Sequence, residues 1–183
     1  MSVATLVIVG APMPQGRPRH RIVKSYGKAP FGVVYDPPGC KKEKQRIHTI
    51  VKNLMREKGY VMFAEHVPLR LDIIFYVPIP TGFSKVKRTK ANMALIVPAV
   101  KPDLDNYAKL VLDACCGVLY HDDNSVTDLN IKKRYSNHPG TKIQAQPLFE
   151  EAPILRQPQR ELQLKQNSKI KRQKCLAADA KVW

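Results

Sequence analysis

From Val67 to Ile79 the chain alternates, with Leu69, Leu71, Ile73 and Phe75 set against Arg70, Asp72, Ile74 and Tyr76, the period of a β-strand. Both sides turn apolar toward the end, as in a central strand, and Pro78 and Pro80 close it. Residues 3–10 alternate likewise and stop at Gly10 and Pro12, predicting a first strand. A helical period governs Lys41 to Lys58, where Ile47, Ile50, Val51 and Leu54 recur at i, i+3, i+4 and i+7 and define a core-facing side. Lys41, Lys42, Lys44, Arg46 and Lys52 cover the remaining surface. That surface reads as a solvated face, and the pattern localises no DNA contact on it. A second helix is predicted from about Asp105 to Cys116. Tyr107, Leu110, Val111 and Ala114 form its buried stripe, Asp103 or Asp105 is placed to cap it, and Gly117 to stop it. Val126 to Tyr135 alternates again, and the turn Asn137-His138-Pro139-Gly140 leads into Thr141 to Leu148, predicting a closing hairpin.

Less regular stretches separate these elements. Pro12-Met13-Pro14-Gln15-Gly16-Arg17-Pro18-Arg19-His20-Arg21 reads as a stiff basic loop whose guanidinium forks suit phosphate. Tyr35-Asp36-Pro37-Pro38-Gly39 reads as a turn, and Ser84 to Lys90 as a basic loop or short helix. No internal repeat is present. After Glu150 the composition shifts to Gln, Lys, Arg and Pro, which divides the chain into a domain over 1–150 and a basic tail over 151–183, flexible or partly helical.

Composition narrows the partners. The 183 residues are 44% hydrophobic, enough for one core, and carry a net charge of +16. DNA, RNA or an anionic membrane surface are the partners such charge suggests. A membrane is the weaker choice, since no apolar run approaches the roughly 20 residues needed to span a bilayer. The amino terminus lacks the positive n-region of a signal peptide. Cys40, Cys115, Cys116 and Cys175 include no C-x-x-C pair, so buried reduced thiols in a cytosolic protein are expected.

The charge is unevenly spread. Five of the fifteen acidic residues lie between Asp103 and Asp123, after a stretch from Ile73 to Pro102 that has none. Gathered like charges raise one another's pKa and cost stability unless a cation neutralises them. Oxygen ligands of this kind suit Mg2+ or Mn2+. Asp103 and Asp105 point the same way if their segment is extended, and the dipole of the following helix favours them. Lys109 lies one turn after Asp105 on the same face, where it can serve a phosphate or form an i, i+4 pair with Asp113. Asp122 and Asp123 follow the helix. Its length of about 18 Å means that another element must bring the two ends together, and the spacing by itself does not set that return.

The ordered run Lys101-Pro102-Asp103-Leu104-Asp105-Asn106, then Lys109, Leu112-Asp113-Ala114, Gly117, Asp122-Asp123 and Val126, resembles the RusA family of Holliday-junction resolvases, proteins of phage and prophage genomes. Gly10-x-Pro12 followed by Arg17-Pro18-Arg19 is similar to that family's first strand and loop, so the resemblance covers roughly residues 3–149. It implies a small α+β fold with a mixed sheet and two main helices. It also implies a homodimer and a Mg2+-dependent endonuclease, with Mn2+ as a substitute, that nicks opposed strands of a four-way DNA junction. Asp103, Asp105 and Asp123 match the metal ligands and Lys109 the essential lysine, with Asp122 in a supporting or capping place. Candidate DNA contacts are Arg17, Arg19 and Arg21, then Lys85, Lys87, Arg88 and Lys90, and Lys101 ahead of the aspartates. The expected compartment is the cytoplasm of a bacterial or phage-infected cell. Cys115-Cys116 and the tail after residue 150 depart from the family pattern. Two rival readings stand beside this one: a non-catalytic basic nucleic-acid-binding protein whose aspartates only cap a helix, and a nuclease acting on flaps, forks or RNA.

Overall fold

The structure is a computed structural model, and it describes residues 3–149 apart from 25, 26, 28 and 30. The tail anticipated over 151–183 lies outside the described residues. In chain order the elements are β1 (Ala4–Val9), β2 (Arg19–Val23), β3 (Phe31–Tyr35), α1 (Pro38–Glu57), β4 (Leu69–Pro78), α2 (Lys85–Asn92), α3 (Leu104–Cys115), β5 (Val126–Ser136) and β6 (Gly140–Pro147). A short 3-10 turn, Asp123–Ser125, precedes β5. The fold is α+β, as expected, and its main sheet is mixed with strand order β1-β6-β4-β5.

The strand that reads as central is central. β4 pairs antiparallel with β6 on one side and parallel with β5 on the other. Parallel neighbours require a crossover, which α2 and α3 supply. Leu69, Leu71, Ile73 and Phe75 of β4 are buried on the helix-covered face beside Leu6, Ile8 and Ile143. α1 packs on β1 and α3, and α3 packs on β5. Ile47 and Val51 of α1, and Tyr107, Leu110, Val111 and Ala114 of α3, complete this core. Phe75 and Tyr107 stack with ring centres 5.3 Å apart, fixing α3 against β4. The other sheet face is half-exposed and polar, with Arg70, Asp72, Asp128 and Asn130 bonded across β4 and β5.

Two expectations are corrected. β5 and β6 do not form a hairpin, because β4 lies between them. The link Asn137–Pro139 steps across the end of β4, a span of about 10 Å for two strand spacings. That passage is open because Pro78 offers no N–H there and Pro80 leads the chain away. The basic loop over 12–21 is partly strand: from Arg19 it enters β2, which among the described residues pairs with β3 alone as a separate two-stranded ribbon. The basic stretch after Ser84 resolves as α2, with the Ser84 hydroxyl accepting from the Lys87 N–H. No helix of the described residues is long and apolar enough to cross a membrane.

Gly140 begins β6 opposite Val9. A Cβ there would stand 2.8 Å from the Ile8 carbonyl oxygen, a backbone atom that cannot swing aside. Gly140→Ala is therefore expected to lower stability by about 2 kcal/mol through overpacking, a Tm fall of about 6 °C for a chain this long. A thermal melt followed by circular dichroism checks it. An unchanged Tm would mean that β1 yields freely.

Candidate active site

α3 sets the site. Its N-cap is Asp103, in an extended conformation (φ −71°, ψ 150°), but the Asp103 side chain makes no capping bond. It does not cap the helix through its side chain, and its carboxylate stays exposed. The approach to Asp103 is pinned from β5, where Lys133 Nζ donates to the Val100 and Pro102 carbonyls at 2.7 and 2.9 Å. Asp105 follows in the first turn, where the helix dipole favours a carboxylate.

Asp105, Lys109 and Asp113 recur every fourth residue and so share one face of α3. With Ala108 and Leu112 they form one wall of a cavity of about 250 Å3, and Asp123, Leu129 and Ile131 form the other. The return of Asp123 that spacing left open is therefore made: β5 runs back along α3, and the 3-10 turn delivers Asp123 to its edge. Tyr120 stabilises the reversal, buried and donating its hydroxyl to the Leu112 carbonyl at 3.0 Å. Gly117, at φ +74°, ends the helix as expected. Asp103 is not among the residues lining this cavity.

The carboxylates at the mouth repel. Asp123 is pushed above the usual carboxylate range by its hydrogen bond with Asp122, then by burial and by the charges of Asp122 and Asp113. Asp122 is held below that range, first by Asp123 and then by the Asn124 N–H, which also makes it the cap of the 3-10 turn. Such a cluster suits a hard divalent cation, because its donors are all oxygens. Among the described residues no three His, Cys, Asp or Glu side chains lie together so that they could hold a metal ion by themselves. Mg2+ keeps several of its waters, so carboxylates on opposite walls of a cavity this size can hold it without touching one another. On donor chemistry the residues fit the ion.

Sequence reasoning missed the support behind this wall. Spacing offers Asp113 to Lys109 as an i, i+4 partner, but it pairs with Lys44 of α1 at 2.7 Å. Lys44 also bonds Asp36 at 2.8 Å, and Asp36 accepts from Gln15 Nε2 at 3.1 Å. The Gln15 N–H in turn donates to the Asn106 carbonyl at 2.8 Å, docking the first loop onto α3. Gly16 packs close against the start of α1, where a Cβ would meet Pro37 Cγ at 3.0 Å and Cys40 Sγ at 3.2 Å. Lys44 and Asp113 are 69 residues apart by number, and no local periodicity signals such a pair.

The Lys44 hydrogen bond, aided by its charge, holds Asp36 below the usual range despite burial. Burial pulls the Lys44 ammonium down, but its bonds to Asp113 and Asp36 overcome that and push it up. A carboxylate lowered in the folded state contributes stability above its unfolded pKa and loses it as pH falls through the folded value. Lys44→Met removes that contribution. It is expected to cost about 1 kcal/mol near neutrality and to shrink the stability lost between about pH 7 and pH 3. Urea midpoints at both pH values test this, and an unaltered difference would show that Lys44 does not set the Asp36 pKa.

Of the other candidates, Arg17, Arg19, Arg21, Lys85, Lys90 and Lys101 are exposed. Lys87 lies 4.3 Å over the Phe83 ring, and Arg88 donates to the Pro80 carbonyl at 3.4 Å, so these two also brace α2. Cys115 is a core thiol that burial pushes up to about 12.

A family model described as endodeoxyribonuclease RusA matches residues 10–146. A Bacillus subtilis (strain 168) protein named as uncharacterized protein YqaN is 34% identical over 147 residues, which cover 78% of this chain and 95% of that protein.

Proposed function

The chain belongs to the RusA endodeoxyribonuclease family, and from that premise we propose that it resolves four-way DNA junctions in recombination and repair, by Mg2+-dependent nicks on two opposed strands. The observation that carries this reading is the cavity where Asp105, Lys109, Asp113 and Asp123 meet in a chain of net charge +16. A binding protein gains nothing from concentrating negative charge where a polyanion docks. A phosphodiester hydrolase does, because the carboxylates hold a cation against the scissile phosphate.

Asp105 and Asp123, with Asp103 at the helix entrance, would hold Mg2+, or Mn2+ in its place. Bound there, the ion supplies Lewis-acid charge to the phosphate, activates water for in-line attack and stabilises the leaving 3′-oxygen. Lys109, exposed on the same wall, places an ammonium against a non-bridging phosphate oxygen, where charge builds in the pentavalent transition state. Asp122 and the Lys44–Asp113 pair hold the two walls in position. Arg17, Arg19 and Arg21 on the first loop and β2, Lys85, Lys87, Arg88 and Lys90 on α2, and Lys101 supply phosphate contacts. Two copies related by a twofold axis match a junction with two equivalent strands, one site to each. The cytoplasm of a bacterial or phage-infected cell is where such a substrate arises.

The test uses a labelled immobile four-way junction with the full chain, in Mg2+ or EDTA, beside matched linear duplex. Paired nicks that need Mg2+ and are absent on duplex are expected. Tight binding without cleavage in either Mg2+ or Mn2+ would leave a binding protein. Preferred cutting of flaps, forks or RNA in competition would change the substrate and keep the chemistry.

A further inference from the structure

A row of three cationic side chains and one histidine runs along α1, apart from the loops singled out above. Lys44, His48, Lys52 and Arg56 recur every fourth residue, which places them in line on one helix face. The row is about 18 Å long. It is concave. Lys44, His48 and Thr49 face Asp113 and Ala114 across one hollow. His48, Lys52 and Arg56 line the next, with Gly117 and Val118 among its other residues. His48 borders both hollows, and Asp113 borders both the first hollow and the carboxylate cavity. The three depressions thus form one path leading from Lys109 and Asp123 toward the end of α1.

Lys44 is taken up by Asp36 and Asp113, and the groups beyond it on this path are free to act. His48 Nδ1 lies 3.3 Å from the Ala114 carbonyl, which orients the ring and leaves Nε2 for another partner. Lys52 and Arg56 are exposed and form no ion pair among the described residues. Among the described residues, Glu57 is the one carboxylate lining the second hollow.

We propose that this row is a phosphate track for the DNA strand leaving the cleavage site. The inference rests on the nuclease reading and adds to it which face carries an arm of the substrate. A small anion would need donors converging on one point, whereas these are strung out about 6 Å apart, as a polyanion requires. At 3.4 Å of axis per phosphate on one strand, the free stretch from His48 to Arg56, about 12 Å long, spans about three or four phosphates.

The experiment binds full-length protein to four-way junctions, in EDTA, with a neutral methylphosphonate stepped outward from the cleavage site. Wild type is expected to lose affinity at two or three adjacent phosphates on one arm. Lys52→Ala/Arg56→Ala should bind the unmodified junction about tenfold more weakly, with a salt slope smaller by about 2, and should no longer sense those phosphates. Lys41→Ala/Lys42→Ala removes the same charge from the start of α1 and should keep the wild-type pattern. The track is overturned if the Lys52/Arg56 variant still senses the same phosphates, or if the control pair erases them equally. Wild type that neither binds nor cuts the junction would sink the nuclease reading itself, and the track with it. Wild type that binds and cuts, beside a Lys52→Ala/Arg56→Ala variant with the same affinity and the same methylphosphonate pattern, would sink the track alone.

Discussion

Asp105→Asn is expected to slow cleavage of a four-way junction by about 10³-fold in Mg2+, while affinity for the junction stays level or tightens. The carboxylate sits in the first turn of α3 and lines the cavity opposite Asp123. Asn has the same shape but no charge, so it is a poor partner for a hard cation. Loss of transition-state stabilisation worth several kcal/mol follows, and about 4 kcal/mol is a 10³-fold change in rate. Binding should not suffer, because one negative charge has left a surface that meets phosphates. Folding should hardly change. Asp105 is exposed, and the lost helix-dipole interaction is worth about 0.3–1 kcal/mol. The measurement is single-turnover cleavage beside a binding titration in EDTA. A rate within tenfold of wild type would remove Asp105 from the site, and a collapsed fold would make it structural.

The elements that sequence periodicity recovers are those whose partners matter least to their pattern. α1, β4 and α3 each bury one regular set of side chains, and Ile47, Ile73 and Leu110 would mark a core whatever packed against them. Pairing is another matter. The turn Asn137-His138-Pro139-Gly140 reads as a hairpin because turn chemistry is local, yet the strand beside β6 is β4, whose paired residues lie 64 to 78 positions earlier. The β2–β3 ribbon escapes notice for a related reason. Ile22, Phe31 and Val34 are exposed, so no buried face imposes an alternation, and the prolines before Arg19 read as loop.

The site divides along the same line. Asp105, Lys109 and Asp123 are visible as charges out of place, and the cavity brings them together. Asp103 is visible too, but stands outside that cavity, at the helix entrance. What stays hidden is the brace from Gln15 through Asp36 and Lys44 to Asp113, which crosses the first loop and two helices. Asp113 has a perfectly good local partner in Lys109 by spacing. It is taken instead by Lys44, whose place between two carboxylates stabilises it more than an exposed i, i+4 contact would, at about 0.3–0.5 kcal/mol.

That displacement sets the expected result at Lys109. If Lys109 only held Asp113, Lys109→Ala would weaken the fold and leave chemistry alone. Asp113 is already paired, and Lys109 is exposed with no ion pair among the described residues, so the fold should not notice its loss. Chemistry should. An ammonium aimed at charge that grows in the transition state, inside a site already crowded with carboxylates, is worth about 10²-fold in rate. Lys109→Ala is therefore expected to cut the single-turnover rate by about 10² with an unchanged urea midpoint. Lys109→Arg should recover part of that loss, since the charge is kept but the planar fork does not reproduce a point donor. A lower urea midpoint, with cleavage reduced only in proportion to unfolded protein, would return Lys109 to the scaffold. A rate within threefold of wild type would mean that the charge facing the phosphate comes from another residue, and Lys101, exposed before the helix, would be the next to replace.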